Sequence, residues 1–269
     1  MTRRPVALTI AGSDSGGGAG IQADLKTFLG CHVHGMSAIT AVTAQNSTGV
    51  AGIYELAASA VAEQIDVVVS DIGVDATKTG MLANADIINA VADAASRLQL
   101  GPLVVDPVCA SQHGDPLLRQ DAITALVETL LPCADLVTPN LGEVKVLTGL
   151  VVDDLDGMRA AARALHDLGP KWVLVKGGHL PSADALDVLY DGTDFIELTA
   201  PRRDTPHTHG TGDTLAAATT AALAAGADMI TAVRAGKAYV TAAVDDSFPL
   251  GKGLGPVGHF WRVRPEAAS

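Results

Sequence analysis

The sequence predicts an α/β fold of three layers, with a central and mostly parallel sheet covered by helices on both faces and a small antiparallel hairpin. Three observations predict it. Strand-like and helix-like segments alternate along most of the chain. The strand-like segments are short aliphatic runs without polar alternation, as expected of strands buried on both faces. Polar residues gather where those runs end, and ligands of an open parallel sheet sit beyond the carboxyl ends of its strands. At 269 residues the chain can bury a large core, and no linker, repeat or low-complexity tract divides it. One domain over residues 1–269 is therefore expected.

The elements follow in order. Val6 to Ala11 is an apolar run ended by Gly12, a buried strand. Ala19 to Leu29 has helical spacing through Ile21, Leu25, Phe28 and Leu29. Ser37 to Val42 reads as strand, Ala57 to Ser70 as helix, Ala76 to Gly80 as a short strand and Asp86 to Leu98 as helix. Leu103 to Asp106 is a strand stopped by Pro107, Ala122 to Leu131 a helix stopped by Pro132, and Leu136 to Thr138 a strand stopped by Pro139. Glu143 and Met158 belong to helices, and Trp172 to Lys176 is a strand. Leu186 to Tyr190 and Phe195 to Leu198, split by Asp191-Gly192-Thr193-Asp194, form the antiparallel hairpin. The last helix read from the pattern is the apolar stretch Leu215 to Ala227.

Composition excludes several classes of function. Thirty acidic against eighteen basic residues leave a net charge of −12, which disfavours binding to a nucleic-acid backbone. An acidic protein can still bind a nucleotide through backbone N–H groups, one or two lysines and Mg²⁺. Aromatic residues are 3%, so the core must be built from Ala, Val and Leu. Cys31, Cys109 and Cys133 are odd in number and scattered, which suggests a reducing compartment and no disulfide framework. The basic N-terminus lacks the apolar region and cleavage site of a signal peptide, and no apolar run is long enough to span a membrane. The expected location is the cytoplasm.

Two nucleotide motifs fail. Gly18-Ala19-Gly20-Ile21-Gln22-Ala23 satisfies the spacing of a dinucleotide fingerprint. That fingerprint needs an acidic residue about 20 positions on for the ribose. Here no Asp or Glu lies between Lys26 and Tyr54. A P-loop is absent altogether. A different run carries more: Thr208-His209-Gly210-Thr211-Gly212-Asp213-Thr214, directly before the last apolar helix. The glycines bare backbone N–H groups at a helix N-terminus, a natural anion site. Asp213 there would sit beside a bound phosphate, where it could take a proton from an attacking hydroxyl. It could equally be a helix cap.

Polar stations at the strand ends support the chemical reading. Asp14 follows the first strand, Asp106 ends another, Asn140 and Glu143 follow the next, and Lys176 ends the one after. Each alone has a structural reading, Asp14 as a turn cap and Glu143 as a first-turn residue. Together with Gly210 to Asp213 they make a set suited to phosphoryl transfer without a P-loop. Carboxylates and an amide suit Mg²⁺, and a lysine suits phosphate charge.

The motifs resemble those of the ribokinase-like superfamily, and within it the hydroxymethylpyrimidine and phosphomethylpyrimidine kinases of thiamine biosynthesis. The resemblance covers nearly the whole chain. It runs through Leu8-Thr9-Ile10-Ala11-Gly12-Ser13-Asp14, Gly17-Gly18-Ala19-Gly20-Ile21-Gln22-Ala23-Asp24, Ala44-Gln45-Asn46 and Lys78-Thr79-Gly80-Met81-Leu82. It continues with Thr138-Pro139-Asn140-Leu141, Lys176-Gly177-Gly178-His179, the run ending at Gly212, and Gly253-Leu254-Gly255-Pro256-Val257. The resemblance implies a ribokinase-like fold, ATP as donor, Mg²⁺, a hydroxymethylpyrimidine as acceptor and a homodimer. It implies that Asp24 and Gln45 hydrogen-bond the aminopyrimidine, with Gly12, Ala19, Met81 and Val108 lining its pocket. Asn140, Glu143 and Asp106 would organise Mg²⁺, Lys176 would contact the transferred phosphate, and Gly210, Thr211 and Gly212 would form the anion hole. Asp213 would be the base. Many members of this group carry Cys at that position, whereas the sugar kinases of the superfamily carry Asp. A carboxylate acts as base near neutral pH without a lowered pKa, which a thiol would need. The pyridoxal kinases share part of the pattern and are the rival reading, with a non-catalytic nucleotide- or pyrimidine-binding protein as the alternative of another class.

Overall fold

The computed structural model describes residues 3–109, 118–178, 180 and 184–263. His179 of the sequence motif lies outside the described residues. Among the described residues one nine-stranded sheet runs in the order β3-β2-β1-β4-β5-β6-β7-β8-β9. Its strands are β1 (Val6–Asp14), β2 (His34–Asn46), β3 (Gly49–Glu55), β4 (Ala76–Thr79), β5 (Leu103–Val105), β6 (Leu136–Val137), β7 (Trp172–Lys176), β8 (Asp184–Tyr190) and β9 (Phe195–Pro201). From β2 to β7 the sheet is parallel, while β3, β8 and β9 pair antiparallel at its edges. The helices are α1 (Gly20–Gly30), α2 (Ala58–Asp71), α3 (Ala85–Arg97), α4 (Gln120–Ala125), α5 (Leu141–Thr148), α6 (Leu155–His166), α7 (Thr211–Ala224) and α8 (Met229–Asp245).

The strands alternate between two cores, which gives the three layers. Leu8 and Ile10 of β1 pack with Ile65 of α2 and Ile87, Ile88 and Val91 of α3. Ala7, the neighbour of Leu8, faces the other way, against Phe28 of α1 and Ala217 and Ala221 of α7. In β7, Val173 and Val175 join the first core and Leu174 meets Leu215 and Val233 of α7 and α8. Burying each such aliphatic side chain is worth about 1.5–3 kcal/mol. Helix α7 can lie deep because its residues are small: Ala216, Ala217, Ala218, Thr219, Thr220 and Ala221 are all buried. Gly236 of α8 lets that helix come close, since a Cβ there would collide with Thr219 Oγ1.

Three details differ from the sequence expectations. Strand β1 does not stop at Gly12 but bulges there and runs on to Asp14. Glycine in a strand marks such a bulge. The helix expected over Ala122 to Leu131 is straight α only to Ala125, then widens to a π-helical turn (Leu126–Leu130) and tightens to a 3₁₀ turn (Leu131–Cys133). Pro132 has no N–H to continue the α ladder. Strand β3 and helix α8 have no counterpart in the sequence reading.

The topology positions the site. Neighbouring strands leave β1 in opposite directions, toward β2 on one side and β4 on the other. Such a switch point opens a crevice at the carboxyl ends of the strands. The ends of β1 and β4, the start of α1 and the start of α7 all meet there.

Candidate active site

Helix α7 begins at Gly210, whose φ of 84° is left-handed. A Cβ at Gly210 would run into the carbonyl of Gly18, so only glycine lets the two glycine loops touch. Thr211 and Gly212 follow in the first turn; the Thr211 N–H donates to the Thr208 carbonyl at 3.2 Å, which leaves that of Gly212 to open toward the cleft end of the helix. A Cβ built on Gly212 would lie 3.3 Å from Lys176 Nζ and 3.5 Å from Asp106 Oδ2. The expected anion loop, lysine and carboxylate are therefore one assembly. The motif Gly253 to Val257 closes it from outside, with His209 N–H donating to the Gly255 carbonyl and Val257 N–H to that of His209.

Asp213 stands one residue further along α7, its side chain 18% exposed. Its Oδ1 accepts a hydrogen bond of 2.9 Å from Lys78 Nζ. Burial works to raise this carboxyl, but Lys78 outweighs it and holds Asp213 below the usual carboxylate value. Asp213 is therefore ionised at neutral pH and ready to accept a proton.

Lys78 itself was not among the expected site residues. It projects from β4 with no exposed surface and bonds both oxygens of Asp24, at 2.8 and 2.9 Å. Burial opposes its charge, yet Asp213 and Asp24 keep it protonated above the ordinary lysine value. Asp24 was expected at the pyrimidine edge. The structure instead places it wholly out of solvent, behind Lys78, with Oδ2 also accepting 2.6 Å from Thr9 Oγ1. Burial pushes its carboxyl up to about 7 against the pull of Lys78.

On the far side of the anion loop, Lys176 donates 2.8 Å to Asp106 Oδ1, which also accepts from Thr138 Oγ1 at 3.0 Å. Asp106 and Glu143 hold Lys176 protonated despite its burial. Asn140 and Glu143 form a capping box on α5: Glu143 N–H donates to Asn140 Oδ1 at 2.9 Å, and Asn140 N–H to Glu143 Oε2 at 2.7 Å. Burial pushes Glu143 up to about 7 although Lys176 opposes it. Asp106 Oδ2 and Glu143 Oε1 have no partner among the described residues. Around the loop, four carboxylates (Asp24, Asp106, Glu143, Asp213) face two ammonium groups. Two free hard oxygens in an acidic setting fit Mg²⁺, which takes one or two carboxylates and keeps several waters. The Asn140 oxygen is occupied by the cap, so Asn140 orients Glu143.

The remaining expected residues lie along the crevice. Gly12 sits under Met81, whose methyl carbon would be 2.5 Å from a Cβ at Gly12. Ala19 donates its N–H to Asp14 Oδ2 at 2.9 Å. Val108 lines a recess with Gly80, Asp106 and Leu118. Gln45 is half-buried on β2, with its amide 3.3 Å from His209 Nε2. Asp14 is the organiser of the first glycine loop. It accepts from the N–H groups of Gly16, Gly18 and Ala19 and lies 3.1 Å from His209 Nε2. His209 was quoted in the motif but given no role; here it joins Asp14 to Gln45. The signal that could have exposed Lys78 is its position. A lysine inside a run of buried strand residues must be paired.

Comparisons with known proteins place the chain in a family. The family model described as phosphomethylpyrimidine kinase matches residues 14–258. The hydroxymethylpyrimidine/phosphomethylpyrimidine kinase of Streptomyces coelicolor is 55% identical over 259 residues, 96% of each chain. The thiamine biosynthesis bifunctional protein ThiED of Geobacter sulfurreducens is 48% identical over 94% of this chain and 51% of that longer protein. Among solved structures, the pyridoxal kinase of Staphylococcus aureus in complex with AMP-PCP and pyridoxal superposes with a TM-score of 0.89 at 37% identity, over 96% of this chain and 94% of that one. The fold is thus that of the ribokinase-like kinases, and the chain belongs to the phosphomethylpyrimidine kinase family.

Proposed function

We propose that this protein transfers the γ-phosphoryl group of ATP to the hydroxymethyl group of 4-amino-5-hydroxymethyl-2-methylpyrimidine, and then a second phosphoryl group to the resulting monophosphate, in thiamine biosynthesis. The observation that carries the reading is Asp213: an ionised, partly exposed carboxylate in the first turn of α7, beside the Gly210–Gly212 loop and Lys176. The similarity to kinases of this substrate class supports it. The nucleotide-analogue complex of the pyridoxal kinase supports ATP as donor.

In the first step the substrate oxygen attacks the γ-phosphorus in line, and the bond from that phosphorus to the β–γ bridging oxygen breaks. Asp213 takes the hydroxyl proton. The backbone N–H of Gly212 at the start of α7 and the Lys176 ammonium stabilise the charge on the transferred group. Asp106 and Glu143 would hold Mg²⁺, which supplies neutralisation of the phosphate charge. In the second step the nucleophile is already an anionic phosphate oxygen and needs no base. Gly12, Met81, Ala19 and Val108 line the acceptor pocket in this reading, and Gln45 offers the pyrimidine edge an amide oriented through His209.

A second reading, phosphorylation of pyridoxal, is favoured by the likeness to the pyridoxal-bound kinase. Side-by-side kcat/KM values for hydroxymethylpyrimidine and pyridoxal decide between them, with ADP release as the signal. A larger value for the pyrimidine is expected, and a larger value for pyridoxal overturns the assignment. We propose further that the protein acts as a cytoplasmic homodimer. Light scattering that reads a single chain of 27.4 kDa would refute the dimer.

A further inference from the structure

The ionisable cluster behind the cleft is only partly explained by the reaction above. Lys78 has three ammonium protons, and three carboxylate oxygens receive them: Asp24 Oδ1 at 2.8 Å, Asp24 Oδ2 at 2.9 Å and Asp213 Oδ1 at 2.9 Å. No donor remains for substrate or nucleotide. The three residues come from three elements, α1, β4 and α7, which meet at the switch point of the sheet. Neither Lys78 nor Asp24 has exposed side-chain surface, whereas Asp213 reaches the cleft.

We propose that Lys78 is a positioning residue that keeps Asp213 ionised and fixes the rotation of its carboxylate toward the acceptor hydroxyl, with Asp24 as the buried counter-charge that anchors the lysine. The inference rests on the reading of Asp213 as the base of the first phosphoryl transfer.

The physical argument starts from cost. A buried ion pair adds little net stability, because desolvating two charges offsets their attraction. A tie between α1 and β4 would need only Lys78 and Asp24. The third bond runs to the one of the two carboxylates that faces the cleft. Two carboxylates on one ammonium also explain the division of protons. Asp24 is the member whose carboxyl rises to about 7, under burial and the Asp213 charge, while Asp213 is held low. Without the ammonium, two carboxylates would share one buried site, and a proton bound there would occupy the base. Gly80 keeps the ammonium uncrowded on one side: a Cβ there would sit 3.2 Å from Lys78 Nζ. The other groups facing Asp213 do not replace it. His209 and the N–H of Gly20 pull its carboxyl the same way but less than Lys78 does, Lys176 is bound to Asp106, Glu143 is in the α5 cap, and His259 bonds Thr214.

The test is the pH dependence of the two phosphorylations, each measured as kcat/KM with ATP by quenched-flow and mass spectrometry. In Lys78→Met the first step falls about 10²-fold relative to the second in the acid half of the profile, and the loss shrinks toward alkaline pH as Asp213 ionises unaided. Asp24→Asn, which keeps the ammonium and removes its competing carboxylate, moves the acid limb of the first step the opposite way. Should Lys78→Met not fold, Lys78→Met/Asp24→Asn removes both buried charges and is expected to show the same alkaline displacement. Equal losses in both steps at every pH would make Lys78 purely structural and overturn the proposal, as would an acid limb that moves in neither variant. Asp213→Asn, run in parallel, separates the causes. If that variant also slows both steps equally, the base assignment itself has failed; if it slows the first step selectively and Lys78→Met does not, only the role of Lys78 has.

Discussion

Replacing Asp213 by Asn changes one oxygen to nitrogen and leaves the shape of the site intact. Lys78 keeps both of its bonds to Asp24, so no buried ammonium is orphaned. The stability at risk is one charge-assisted hydrogen bond, about 1.5–3 kcal/mol, part of which the amide oxygen recovers. The catalytic effect is expected to be larger and selective. A general base is worth 10²–10⁴-fold, or about 3–5 kcal/mol of barrier. The hydroxymethyl group needs that base and the monophosphate does not. The first phosphorylation should therefore slow by about 10²-fold or more. The second should stay near its original rate, because its nucleophile is already anionic. Single-turnover reactions started from hydroxymethylpyrimidine and from its monophosphate, with products resolved by mass spectrometry, read the two steps apart. Equal losses would refute the reasoning and move Asp213 to metal or phosphate binding.

Other outcomes follow from neighbouring geometry. Gly212→Ala puts a methyl group between Lys176 Nζ and Asp106 Oδ2; both steps should fall at least about 10-fold, while the melting temperature holds or rises, because alanine favours helix over glycine. A variant that unfolds would contradict this. Lys176→Met should slow both steps alike, by about 10²–10³-fold, since each transfer develops charge on the same phosphoryl group; a loss confined to the first step would count against its place. Burial lowers the His259 imidazole from 6.5 to about 4. The unfolded chain then binds the extra proton between those values, so His259 lowers stability as pH falls through that window, by up to about 3 kcal/mol. His259→Gln should lose less melting temperature than the parent on going from neutral to acid pH, and an unchanged pH slope would exclude the effect.

Much of the fold was legible because strands buried on both faces announce themselves. The runs at Val6, Ala76, Leu103, Leu136 and Trp172 became β1, β4, β5, β6 and β7 within a few residues. Strand β3 was missed because it is an exposed edge containing Gly49 and Gly52, with no apolar face to give it a period. Most candidate residues at the crevice were legible for a related reason: Asp106, Asn140 and Lys176 stand where apolar runs stop, and the glycines of the Gly210 loop precede a helix. Lys78 was not, because its partners Asp24 and Asp213 are 54 and 135 positions away. Nothing local in the sequence shows that pairing. The bond of Asp24 to Lys78 was hidden for the same cause, since a carboxylate's being spent on a buried lysine is a property of tertiary contact.

The most direct measurement is a time course in one vessel. Purified protein, MgATP and hydroxymethylpyrimidine are mixed, and the pyrimidine species are followed by mass spectrometry beside a parallel reaction with pyridoxal. The account predicts that monophosphate rises first and is then consumed as diphosphate appears, with pyridoxal phosphate forming more slowly. Monophosphate that accumulates without ever becoming diphosphate, or pyridoxal phosphate as the dominant product, would contradict it.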